Sequence, residues 1–123
     1  MYYYTKVDIL FHGESAHGST PHLAKDAIVA ASSFILNAQT LVSRMNNPLN
    51  PLVFTVSGVN GGTQFNIITD LVKLAAYLYA DYKELLIQMQ PRLTLLAQST
   101  AAAFGCTAET VFEAVQSKGG AAE

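Results

Sequence analysis

The chain has 123 residues, half of them hydrophobic and only 13% charged, with a formal net charge of -2. That length supports one hydrophobic core and no second, and so low a charge content, against roughly 25% in an ordinary soluble domain, suits a surface that a partner covers. Seven basic residues without a cluster argue against nucleic acid, and no apolar run reaches the roughly 18–20 residues that cross a bilayer, which argues against a membrane span.

The segment Met1–Lys6 lacks the basic region and apolar core of a secretory signal, and the single Cys106 has no internal partner for a disulfide. Both features lead to the expectation of a reducing, cytoplasmic setting. From Tyr3 to Phe11 the sequence alternates, with Tyr3, Thr5, Val7, Ile9 and Phe11 on one face and Tyr4, Lys6 and Asp8 on the other. That period of two predicts a half-buried first strand. A turn rich in small residues runs from Gly13 to His22, with Ser19 or Thr20 as the expected cap and Pro21 in the first turn of the helix that follows. Ile28, Ala31, Ile35, Ala38 and Val42 then recur at helical spacing and predict one helix over about 25–44.

Asn46-Asn47-Pro48-Leu49-Asn50-Pro51 stops that helix, because each proline lacks a donor and pushes its predecessor toward extended backbone. Leu52 to Val59 reads as the second strand, apolar on both faces. Asn60-Gly61-Gly62-Thr63 reads as a turn, and Phe65 to Tyr79 as one long third strand whose buried face carries Val72, Leu74, Ala76 and Leu78. Asp81 and Glu84 have capping-box spacing at the head of a second helix that runs to Phe104, with a kink or a break expected at Pro91 and a left-handed Gly105 at its end. Thr107 to Val115 fits a helix locally, yet a strand there completes a β-α-β-β-α-β order, so a fourth strand is expected. The expected fold class is α+β: a two-layer, ferredoxin-like sandwich with a four-stranded antiparallel sheet and two helices on one face. Residues 1–116 form the single domain and 117–123 a disordered tail.

The three histidines, His12, His17 and His22, flank or occupy the Gly13–His22 turn. His12, Glu14 and His17 offer metal-ligand types, but their spacing at a strand end does not point them together as i and i+4 on a helix would be. Ser19 stands near His17 and His22, with Asp8, Asp26 and Asp70 elsewhere, yet no triad motif or nucleophile elbow is present. Gly58 to Gly62 is glycine-rich but opens no helix, so it lacks the dipole of a phosphate cradle.

In combination, His17-Gly18-Ser19-Thr20-Pro21-His22, Asp26-Ala27-Ile28, Leu41-Val42-Ser43-Arg44 with Asn47-Pro48-Leu49, Gly61-Gly62-Thr63 and Asn66-Ile67-Ile68 resemble the dimerisation or lid domain of the di-zinc amidohydrolases. That family includes aminoacylases, hippurate hydrolases, indole-acetyl-amino-acid hydrolases and related carboxypeptidases. The resemblance implies a separate catalytic domain that carries two zinc ions, so no metal ligand is expected in this chain and no catalysis from it alone. It implies a homodimer, expected through strand 52–59 and helix 25–44. It also implies that His17 acts in trans on the partner's reaction intermediate, that Asn66 with Gly61 and Gly62 lines the substrate pocket, and that His22 and Pro21 are structural neighbours of the site. Two positions depart from the pattern: Thr69 stands where the family has proline, and Tyr79 where it has a carboxylate-binding arginine, whose bidentate fork tyrosine does not reproduce. A stand-alone interaction module that kept the fold without the chemistry is the alternative reading.

Overall fold

The computed structural model describes residues 2–119. Strand β1 (Tyr2–His12) is the centre of the sheet, with β5 (Leu71–Ala80) on one side and β6 (Thr107–Phe112) on the other. β3 (Leu52–Gly61) adds to the far side of β5, so the order is β3-β5-β1-β6 and every pairing is antiparallel. A short β7 (Gln116–Lys118) continues beyond β6 along the start of β1. The sheet thus has five strands where four were expected. Ser117 and Lys118 belong to β7, paired with Tyr3 and Tyr2, and not to a loose tail; residues 120–123 lie outside the described residues.

The alternation read in the first strand holds. Thr5, Val7, Ile9 and Phe11 are buried, as are Val72, Leu74, Ala76 and Leu78 opposite them. Two helices cover this face: α1 (Ala27–Asn37) and α3 (Lys83–Ala103), with a single turn, α2 (Thr40–Ser43), following α1. Phe34 of α1 meets Phe11 of β1 with ring centroids 5.4 Å apart and tilted by 47°, and each such fully buried side chain contributes about 1.5–3 kcal/mol of transfer free energy. α3 seals the other half of the sheet with Leu86, Leu93 and Ala97, and Thr94 and Thr110 share a 2.7 Å hydroxyl hydrogen bond that joins it to β6.

Several local expectations change. The single helix over 25–44 is two pieces preceded by a 3₁₀ turn at Pro21–Leu23. Its cap is neither Ser19 nor Thr20 but Asp26, whose carboxylate accepts from the backbone N–H of Ile28 at 3.0 Å and Val29 at 3.2 Å. The buried side of α1 is Ala27, Ala30, Ala31 and Phe34, while Ile28 is 45% exposed. The long third strand divides into β4 (Ile67–Ile68) and β5. The Asp81–Glu84 capping box does not form, because Tyr82 is the cap residue and no side chain bonds there. Pro91 neither breaks nor divides α3; the carbonyl it leaves without a helical donor is that of Ile87, an exposed residue. Gly105 has the expected positive φ of 74°, and the fourth strand is present as β6. Among the described residues no helix is long and apolar enough to cross a membrane.

Candidate functional site

The turn after β1 is held at three places. Gly13 donates its N–H to the Asp70 carbonyl at 2.8 Å, and Glu14 and Lys25 exchange a pair of backbone hydrogen bonds of 2.9 Å each. A third clamp follows, where β2 (Ala16–His17) pairs antiparallel with β4, Ala16 opposite Ile68 and His17 opposite Ile67. Gly18 extends this by donating to the Asn66 carbonyl at 2.8 Å; a Cβ at Gly18 would stand 3.3 Å from that oxygen, so the two chains meet at a distance a side chain would crowd. These clamps bring His17 and Asn66, 49 positions apart in the sequence, to one small ribbon outside the main sheet.

His17 is exposed. Its Nδ1 lies 2.7 Å from the Ser19 hydroxyl and accepts the Ser19 backbone N–H at 3.1 Å. The His17 carbonyl accepts from the Thr20 N–H at 3.0 Å and the Thr20 hydroxyl at 3.2 Å, which closes the turn beneath the imidazole. Nε2 has no partner among the described residues. Asn66 is half-buried, and its Oδ1 is buried without a hydrogen-bond partner among the described residues. An acceptor in that state costs about 1–3 kcal/mol of lost solvation, which a donor brought by another molecule would recover.

The other candidates separate. Pro21 opens the 3₁₀ turn, and His22 beside it is exposed and makes no side-chain hydrogen bond among the described residues. Gly61 ends β3, packs against Val72 and lines an apolar groove, while Gly62 takes φ 103° in the connection beyond; no hydrogen bond joins either to His17 or Asn66. His12 binds Glu109 at 2.9 Å and Glu14 binds Lys25 at 3.4 Å, so the trio His12, Glu14 and His17 is dispersed. Among the described residues no three His, Cys, Asp or Glu side chains are grouped to hold a metal ion. Thr69 is buried where it stands, its hydroxyl donating to the Leu71 carbonyl at 3.2 Å. Tyr79 is half-buried, with its ring 4.3 Å from that of Tyr2. It is eight residues along β5 from Leu71, about 27 Å at ~3.4 Å per residue, hence at the opposite end of the sheet from His17.

Behind the loop, Cys106 is buried. Burial raises its thiol above the ordinary range, Asp26 adds to the rise and Lys25 opposes it. A protonated, enclosed thiol is a packing group and not a nucleophile. Sequence reasoning raised Ser19 beside His17 but missed the hydrogen bond from the Ser19 backbone N–H and the β2–β4 ribbon that unites His17 with Asn66. Two-residue strands carry no periodicity, so the only signal was that small residues flank both segments.

A second surface lies along the outer edge of the sheet. β3 has no neighbour on one side among the described residues, and Ile28, Ile35 and Val59 with Gly61 and Val72 line a groove of about 100 Å³ between α1 and this edge. Val59 is 60% exposed and Leu36 73%.

A family model described as a peptidase dimerisation domain matches residues 4–84. Among curated proteins, the N-acetyldiaminopimelate deacetylase of Streptococcus pneumoniae strain Hungary19A-6 is 38% identical over 104 residues, covering 85% of this chain and 28% of that protein. The chain therefore spans little more than a quarter of the length of the curated relatives it matches. Among solved structures, a putative aminohydrolase from methicillin-resistant Staphylococcus aureus superposes with a TM-score of 0.86 at 29% identity, over 90% of this chain and 30% of that one. A Bacillus subtilis protein described as a dinuclear metal binding peptidase of the M20 family has a TM-score of 0.69 at 22% identity, over 91% and 26%; it shares the fold.

Proposed function

Because the chain belongs to the peptidase dimerisation domain family, we propose that it is the dimerisation and lid unit of a zinc-dependent amidohydrolase or peptidase acting on N-acyl amino acids or peptides, and that His17 serves the active site of the partner subunit. The observation that carries the reading is the state of His17: exposed, fixed through Nδ1, with Nε2 unengaged among the described residues, on the same ribbon as Asn66, whose Oδ1 is unpartnered there. The two metal ions of this reading belong to a catalytic domain outside this chain. An imidazole N–H presented to a carbonyl oxygen stabilises negative charge as it develops there, an interaction stronger in the transition state than in the ground state. Asn66 supplies an acceptor for the substrate's amide N–H, recovering the solvation lost at its buried oxygen.

The partner is a second copy, joined along β3 with α1 beside its counterpart. Support comes from the unpaired edge, the apolar groove above it and the outward turn of Ile28 and Leu36. The test places this domain in the frame of a related full-length enzyme. Protein carrying His17→Ala is mixed with protein whose catalytic domain has lost a metal ligand. Each alone is expected to lose about 10²- to 10³-fold in kcat, with KM for the first little changed, and the mixture to regain activity through mixed dimers. No recovery on mixing excludes the trans role.

A further inference from the structure

The two Ser19 groups that reach His17 differ in what they permit. A hydroxyl donates or accepts, but a backbone N–H only donates, and the Ser19 N–H lies 3.1 Å from Nδ1. A proton on Nδ1 would confront that N–H, whereas a lone pair accepts it, and the hydroxyl at 2.7 Å then donates to the same nitrogen. A neutral imidazole with its lone pair on Nδ1 carries its proton on Nε2.

We propose that Ser19 is a positioning residue that holds His17 in the Nε2–H tautomer, so that the exposed edge of the ring is a hydrogen-bond donor and not a base. This rests on the trans role of His17 for its consequence, since only a donor at Nε2 stabilises an oxyanion. The pair has the distance of a nucleophile and its base. However, no carboxylate orients the ring among the described residues, and the hydroxyl shares the single lone pair of Nδ1 with the backbone N–H, which weakens that nitrogen as a base toward it. The turn sets the contact: His17 is clamped by β4 and its carbonyl by Thr20, so residue 19 returns over the ring of residue 17.

Nitrogen-15 NMR of the 123-residue chain, at a pH where imidazole is neutral, reads this without substrate or partner. The expected result is a scalar coupling across the hydrogen bond from the Ser19 amide nitrogen to His17 Nδ1, with the His17 proton on Nε2. A semisynthetic chain in which the Ser19 amide is replaced by an ester loses only that N–H. Its His17 tautomer ratio is expected to relax toward that of His22, which has no partner for its ring among the described residues. A protonated Nδ1 in the unaltered chain, or an ester variant with an unchanged ratio, overturns the proposal. Neither result depends on activity, so failure here is distinct from failure of the mixed-dimer experiment.

Discussion

Gly13 shows how little tolerance the site loop has. Its N–H is bound to Asp70, and a Cβ there would collide with the Lys25 carbonyl, a backbone atom that is itself bound to Glu14. Gly13→Ala is therefore expected to cost about 1–3 kcal/mol, read as a lower midpoint in urea unfolding, and to loosen the ribbon that carries His17. Cys106 is a residue-scale matter of a different kind. Its pKa is higher folded than unfolded, chiefly through burial, so the folded state keeps its proton where the unfolded state has lost it. The associated stability is complete below the ordinary thiol range and is lost as pH rises through the folded value. Thermal melts between about pH 8 and pH 10 should show the midpoint falling, with a shallower fall in Cys106→Ala.

At the scale of elements, α1 serves two surfaces at once. The spacing of Ile28, Ala31, Ile35, Ala38 and Val42 is truly helical, but α1 carries two apolar stripes. One, made of Ala27, Ala30, Ala31 and Phe34, packs on the sheet, and the other points toward the open edge of β3. Periodicity locates a helix without telling a core stripe from an interface stripe. The second stripe has a testable consequence. Val59 is 60% exposed at the groove, so Val59→Lys should leave the circular dichroism spectrum unchanged while light scattering shifts from dimer to monomer. Dimers that persist at low concentration would remove β3 and α1 from the interface.

At the scale of the whole molecule, the α+β class and the helix-covered face were legible, because long strands and the covering faces repeat a pattern many times. β1 alternates through its whole length, and β5 answers it residue for residue. The site was legible only as a cluster of residue types in one turn. Its geometry depends on two-residue strands, on Asp26 capping α1 where Ser19 and Thr20 were the more obvious candidates, and on a contact between Ser19 and His17 that leaves no pattern in the sequence. Tyr79 was flagged for the arginine it replaces, and the fold adds that it lies at the far end of the sheet from His17.

The pairing of β7 with the start of β1 has a mechanical consequence. Lys118 lies opposite Tyr2, Ser117 opposite Tyr3 and Gln116 opposite Tyr4, so tension applied to the two ends loads these pairs one after another, as a zipper and not in shear. Peeling three residues pays out about 10 Å of chain before β1 is pulled from β5, which pairs with it from Tyr3 to His12, and from β6, which pairs with it from Val7 to His12. Whatever is joined to this corner can therefore move by that distance while the sheet, and the ribbon that carries His17, keeps its shape.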